Sequence, residues 1–264
     1  MRKACIHPIE FSSKYIAGSA ALVFPAPMNN RNSKLVFVGM PTVNGGMSEQ
    51  TRVLWDRLDR PIGEYTFVKW KVTGCGLGRA RNILVHHALK SEAATMIMID
   101  GDIVADESHI ERLLAHPQKI VGAIYPRKEL AWPTRWVFNP GPRKDDNGLL
   151  EVVETGMGLI KIDISAIELI IDDHMCDAFL SDEPDDKLAV MADLFSDSVV
   201  NDHWLPDRGA FDRKLSEDYY FCWLARHCDI HVLVDLRCQV GHVGTVDFLE
   251  VARLIQAAKM GKQT

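Results

Sequence analysis

Two aspartates flank a glycine at Asp100-Gly101-Asp102, directly after the apolar run Thr95-Met96-Ile97-Met98-Ile99. Two carboxylates at the end of a buried strand can hold a hard divalent cation, and a glycine between them lets phosphate approach the backbone. Mg2+ or Mn2+ there would neutralise charge on a departing diphosphate. Asp-Gly is also a common turn dipeptide, so the triplet is compatible with a plain acidic turn.

Three further groups could carry chemistry. Gly74-Cys75-Gly76-Leu77-Gly78 leads into a helix bearing Arg79 and Arg81. The dinucleotide pattern fails, because Arg79 stands where its third glycine belongs, but a helix N-terminus flanked by arginines can attract phosphate. Ser216-Glu217-Asp218 reads as a serine cap with two acids in a first helical turn, or as a place for a general base. Gly241-His242-Val243-Gly244 offers a late histidine as a metal ligand or an ordinary surface residue. Cys222, His227, Cys228, His231, Cys238 and His242 invite a zinc reading, which a helix over 222–228 and a strand over 230–234 would scatter across different faces.

These residues need elements to hold them. Lys34 to Gly39 is a short apolar run, predicted to be a buried first strand that Pro41 to Gly46 breaks. Ser48 is placed to cap a helix carrying Val53, Leu54 and Leu58 on one face. Glu64 to Val72 has strand composition, and Ala80, Ile83, Leu84, His87 and Ala88 recur as a helical stripe. Residues 95–99 form the next strand, Asp106 caps a helix with Ile110, Leu113 and Leu114, and 119–124 resumes strand character. This alternation predicts an α/β fold whose mostly parallel central sheet is covered by helices on both faces. Ligands bind such sheets at the carboxyl ends of the strands, where the aspartates fall.

The second half is less regular. Residues 126–149 read as a mobile loop, and from Tyr125 onward Arg127, Lys128, Trp132, Arg135, Trp136, Arg143 and Lys144 interleave aromatic and basic groups. Such a surface can stack sugar rings or hold a nucleic-acid strand. Strands are predicted at 149–154 and 159–162 around Thr155-Gly156-Met157-Gly158, then a helix from Ser165. Residues 172–193 carry eight Asp or Glu against one Lys and read as a solvated insertion. A helix from Ser216, a strand at 230–234 and a helix at 246–260 close the chain. Residues 1–33 read as an extension, with a turn or linker at 29–33.

Composition narrows the field. The 264 residues are 47% hydrophobic and 25% charged, as in a globular chain, which argues against wholesale disorder. Thirty basic against thirty-six acidic side chains give a net charge of −6, which argues against an evenly basic nucleic-acid coat. No apolar run is long enough for a transmembrane helix. Six scattered cysteines with no C-x-x-C pair point to reduced thiols and a cytoplasmic setting.

Taken in order, the motifs resemble nucleotide-sugar glycosyltransferases of the A-type fold, especially the family-two-like group. The resemblance rests on Ala80-Arg81-Asn82 entering a helix and on the D-x-D triplet Asp100-Gly101-Asp102. It continues through Thr155-Gly156-Met157-Gly158, Ser216-Glu217-Asp218 and His242, and spans roughly residues 34–245. It implies one domain over 34–264: a nucleotide-binding half (34–125), an acceptor half (126–245) and a C-terminal helix (246–264). It implies that Asp100, Asp102 and His242 bind Mn2+ or Mg2+, with Asp102 the more direct ligand. Pro41 and Thr42 would border the nucleobase, and Arg81 the diphosphate or donor sugar. Gly156 would flank the donor sugar, and Glu217, Trp132 and Trp136 would meet the acceptor.

In that scheme Asp218 is the base. It deprotonates an acceptor hydroxyl, which displaces the diphosphate of a UDP-sugar with inversion, through an oxocarbenium-like transition state. The acceptor stays open between a saccharide, a lipid-linked glycan, a protein and a hydroxylated base in DNA. A nucleotidyltransferase making sugar nucleotides is an alternative, although Gly39 to Gly46 lacks the basic residues of its phosphate loop. A non-catalytic nucleotide-sugar binder is the third reading.

Overall fold

The computed structural model describes residues 30–129, 133–144, 148–173, 175–180, 190–202, 211–244 and 246–260. Strand β1 (Asn32–Thr42) leads through helix α1 (Glu49–Arg57) to β2 (Thr66–Thr73), and α2 (Leu77–Lys90) leads to β3 (Ala93–Ile99). A two-residue strand β4 (Ile103–Val104) and helix α3 (Glu107–Leu114) precede β5 (Ile120–Ile124). Then come β6 (Phe138–Lys144), β7 (Leu149–Thr155), β8 (Leu159–Asp163) and α4 (Ile164–Asp172). Two hairpins follow, β9 (Asp177–Leu180) with β10 (Val190–Asp193), and β11 (Ser198–Asp202) with β12 (Phe211–Leu215). The chain ends with α5 (Glu217–His227), β13 (Val232–Gln239), β14 (Gly241–His242) and α6 (Phe248–Met260).

Eight strands form the central sheet in the order β2-β1-β3-β8-β5-β13-β7-β6. Strands β2, β1, β3, β5 and β13 run one way, as the βαβ pattern predicts. Strand β8 inserts antiparallel between β3 and β5, and this is what brings the Met157-Gly158 turn beside the end of β3. One face carries α2, α4 and α5 on a core that includes Phe37, Met96, Met98, Ile160 and Phe221. The other packs α1 and α3 on Val36, Val38, Ile97, Ile99 and Leu159. Alternation along β1 and β3 divides their side chains between these two layers.

Several local expectations need correction. Strand β1 does not stop before Pro41: it stays paired with β2 through Thr42, while its pairing with β3 ends at Gly39. The missing proline N–H therefore falls where only one neighbour is bonded. Ser48 does cap α1, accepting from Thr51 N at 3.0 Å, and Leu54 and Leu58 are buried as expected, but Val53 points to solvent and Thr51 is buried in its place. Asp106 caps α3 in a capping box with His109.

The segment 126–149, read as a mobile loop, supplies β6, which pairs antiparallel with β7. The acidic segment 172–193 contributes β9 and β10, and Met191 and Ala192 are buried, while 181–189 lie outside the described residues. Arg31, expected within a linker, donates to Leu89 O, Ser91 O and Ala93 O and pairs with Glu168 at 2.8 Å. The Cys/His patch is dispersed, as the helix and strand assignments required. Cys222 faces Thr155 O, His227 stacks on Trp223, His231 meets Glu151 and Cys238 is buried in β13.

Candidate functional site

Helix α2 is buried on nearly every side from Ala80 to His86. Its Arg81 is only 1% exposed and lies in the second turn, at the edge where β3 ends in Asp100. Helix α5 opens at the same edge, with Glu217 and Asp218 in its first turn, where the helix dipole favours negative charge. The two helix starts meet through Gly78. A Cβ there would lie 2.4 Å from Phe195 O and 3.4 Å from Glu217 Cβ. Asn82 holds the segment that packs on Gly78, accepting from Leu194 N and Phe195 N, each at 3.0 Å, and donating to Asp193 at 2.7 Å.

The guanidinium of Arg81 is shared among three carboxylates. Nη1 donates to Glu217 Oε1 at 2.8 Å and lies 2.6 Å from Asp218 Oδ1, while Nη2 reaches both Asp100 oxygens at 3.1 and 3.2 Å. One buried cation against three acids leaves an excess of negative charge in low dielectric. Burial works against the charge on Arg81, but the three carboxylates outweigh it and raise its pKa further. Burial raises the pKa of Asp100, opposed by Arg81 and reinforced by Asp102. Asp218 is pushed up to about 7 by burial, against the pull of Arg81, with Asp100 and Glu217 adding to the rise. Its Oδ2 accepts from Met157 N at 3.2 Å. A carboxylate titrating near neutrality suits proton transfer at physiological pH.

Asp102 belongs to a second group. Strand β14 pairs with β4 so that His242 stands opposite Ile103, and Val243 N donates to Asp102 O at 2.8 Å. This miniature ladder brings His242 Nε2 to 3.8 Å from Asp102 Oδ1. His242 Nδ1 is engaged by Pro126 O at 2.9 Å, which leaves Nε2 as the free lone pair. The Lys128 ammonium rests on the other oxygen, Asp102 Oδ2. A carboxylate oxygen and an imidazole nitrogen are donor types that Mn2+ accepts, so these two side chains could supply part of a coordination shell.

The predicted set of three ligands is not assembled. Asp100 turns to Arg81 instead, and among the described residues no three His, Cys, Asp or Glu side chains converge as a metal cage.

The other predicted residues lie against groups of the chain itself. Gly101 gives room to the chain's own backbone: a Cβ would lie 2.7 Å from Gly46 O, and Ser48 N donates to Gly101 O at 2.7 Å. Thr42 is buried against Gly101, and Pro41 is buried beside it. Gly156 is buried, and its missing side chain makes room for Tyr125, whose hydroxyl would lie 2.1 Å from a Cβ there. Ser216 is the N-cap of α5 but makes no side-chain capping bond, so the two acids are held by Arg81 rather than by a cap. Trp136 lines a groove of about 390 Å3 with Gln239 and with Leu249, Ala252, Arg253 and Gln256 of α6. Trp132 lies outside the described residues.

The sequence presents Tyr125 and Lys128 only as part of a basic, aromatic loop, and Asn82 only as the motif neighbour of Arg81. Two glycines two residues apart before a buried strand are the one signal that a bulky ring must pack against that turn.

No protein-family model matches the chain, and no curated protein matches it. Among solved structures, the chain is similar to A197 from STIV, at 15% identity and a TM-score of 0.46 over 79% of this chain and 85% of that one. It is similar to GalNAc-T7 with UDP, GalNAc and Mn2+, at 13% identity and a TM-score of 0.49. That match covers 80% of this chain and 43% of GalNAc-T7, so the chain spans less than half of that protein. It is also similar to 4-diphosphocytidyl-2C-methyl-D-erythritol synthase from Anaerococcus prevotii, at 12% identity, a TM-score of 0.33, and coverage of 74% and 96%. Among the described residues no helix is long and apolar enough to cross a membrane.

Proposed function

We propose that the chain is a divalent-metal-dependent glycosyltransferase that moves a sugar from a nucleoside diphosphate, UDP in the first instance, to an acceptor hydroxyl. The observation that carries this reading is the cluster of half-buried Asp100, Glu217 and Asp218 around buried Arg81 at the strand ends, next to the Asp102–His242 pair. Asp218 is the general base: titrating near 7, it accepts the hydroxyl proton as the oxygen attacks the anomeric carbon. Arg81 fixes its orientation, and the Met157 amide steadies the oxygen that accepts its hydrogen bond. Glu217, on the adjoining position of α5, faces the acceptor. Asp102 and His242 would hold the metal, which when bound would supply positive charge to the leaving diphosphate. Trp136 and its groove are assigned to the acceptor in this reading.

Thermal stabilisation by a panel of UDP-, GDP-, CMP- and dTDP-sugars, each with and without Mn2+, tests this directly. A ligand that binds only the native state raises the melting midpoint by mass action. A Mn2+-dependent rise with one nucleotide supports the donor site. No rise with any of them sinks the reading.

A further inference from the structure

Tyr125 is 4% exposed and touches both halves of the site. Its hydroxyl accepts from Gly158 N at 2.9 Å. Its ring meets His242 edge-on, with centroids 5.1 Å apart and planes at 77°. The turn beneath it is shaped to receive it, since a Cβ on Gly158 would lie 2.7 Å from Tyr125 Cζ. That turn supplies two hydrogen bonds to the site: Met157 N donates to Asp218 Oδ2, and Gly158 O accepts from Asp100 N at 2.8 Å. The tyrosine is itself pinned from behind, with Val137 N donating to Tyr125 O at 3.0 Å and Gly156 N donating to Val137 O at 3.2 Å.

We propose that Tyr125 is a positioning residue with two separable jobs: its hydroxyl sets the Met157-Gly158 turn against Asp218, and its ring sets His242 toward Asp102. The assignment rests on the reading of Asp218 as base and of Asp102 and His242 as metal ligands. The hydroxyl lies among ionisable groups from every side of the site. Arg81 on α2, Asp100 after β3, and Glu217, Tyr219 and Cys222 on α5 all act electrostatically on or with Asp218, as does Tyr125 itself. Losing the hydroxyl leaves the Gly158 amide buried without its acceptor, so the turn shifts and the Met157 bond to Asp218 weakens. That bond favours the ionised carboxylate, so its loss moves the titration of Asp218 upward.

Two variants separate the jobs. Tyr125→Phe keeps the ring and its volume. It is expected to leave Mn2+ affinity at the wild-type value in calorimetry, while the acid-side midpoint of the transfer pH profile rises by about 0.5 unit or more. The same rise is expected in a carbon-13 NMR titration of the Asp218 carboxyl, which needs no turnover. Tyr125→Leu removes the ring, and Mn2+ affinity is expected to fall about tenfold, with Phe at the same position restoring it. An unmoved Asp218 titration in the Phe variant, or wild-type Mn2+ affinity in the Leu variant, overturns the assignment. Wild-type protein that binds Mn2+ yet transfers no sugar would instead remove the proposed function, and the NMR and calorimetric arms would still decide the role of Tyr125.

Discussion

Arg81 Nη1 and Asp218 Oδ1 lie 2.6 Å apart and join the second turn of α2 to the first turn of α5. The pair is not a neutral couple. Asp100 and Glu217 draw on the same guanidinium, and Arg81 Nε is buried with no hydrogen-bond partner. The site therefore holds more carboxylates than its one buried arginine can match, and burial shifts Asp218 and Asp100 toward their neutral forms.

Asp218→Asn should lose transfer and gain stability at neutral pH. The folded-state pKa of Asp218 rises from the ordinary 3.8 to about 7, so the native state binds the extra proton between those values. Its stability contribution is complete below about pH 4 and is lost as pH climbs through 7. Above that the ionised group is a burden, of the order of 4 kcal/mol for a shift of this size. Urea unfolding at pH 5 and pH 8 checks this: the wild type should weaken toward pH 8 more than the variant does. A variant less stable than wild type at pH 8 would contradict the charge argument.

Arg81→Leu removes the one cation that three acids share. The loss should be about 3–5 kcal/mol, as for other broken buried pairs, and should shrink as pH falls and the carboxylates take up protons. The acid rescue distinguishes lost charge from lost packing. Arg81→Lys cannot reach three carboxylates in fork geometry and should recover less than half of the loss.

Gly156→Ala should cost about 1–3 kcal/mol or more, because its Cβ meets the Tyr125 hydroxyl and also stands 2.8 Å from Val137 Cγ1. Gly46→Ala is the control, since nothing lies within 4 Å of a Cβ there. Its stability should stay within about 0.5 kcal/mol of wild type. Equal melting midpoints for the two variants would remove the packing argument.

Asp102→Ala should abolish Mn2+ binding measured by calorimetry while shifting the melting midpoint little, since this side chain is 39% exposed. Lys128→Ala, by contrast, should tighten Mn2+ binding several-fold, because the ammonium that rests on the same carboxylate is gone. Weaker Mn2+ binding in the lysine variant would mean that Lys128 does not compete for that position.

Much of the scaffold was readable from local pattern. Apolar runs gave β1, β3 and β5, the 3.6-residue period gave α2, and Ser48 and Asp106 marked helix starts that the structure confirms. The misreadings share one cause. Val53 and Leu54 look alike in sequence, yet only one faces the sheet. The prolines, glycine and tryptophans of 126–149 have loop composition, but pairing with β7 makes part of the segment a strand. Trp136 could be seen as a sugar-stacking candidate, whereas its position against α6 could not.

By itself, the sequence determined the residue types of the site and the strand and helix ends on which they fall, because caps, periodicity and turn residues act over a few positions. Only the tertiary structure decided what those residues touch. Arg81 finds Asp100 nineteen positions away and Glu217 a further 117 along the chain, and no local preference encodes that meeting. It follows from sheet order: inserting β8 between β3 and β5 carries Met157 and Gly158 to the end of β3, under Tyr125 and against Asp218. The same packing turned Asp100 inward to the arginine and left Asp102 facing His242, a division of two similar carboxylates that burial and charge made and that the D-x-D spacing alone could not.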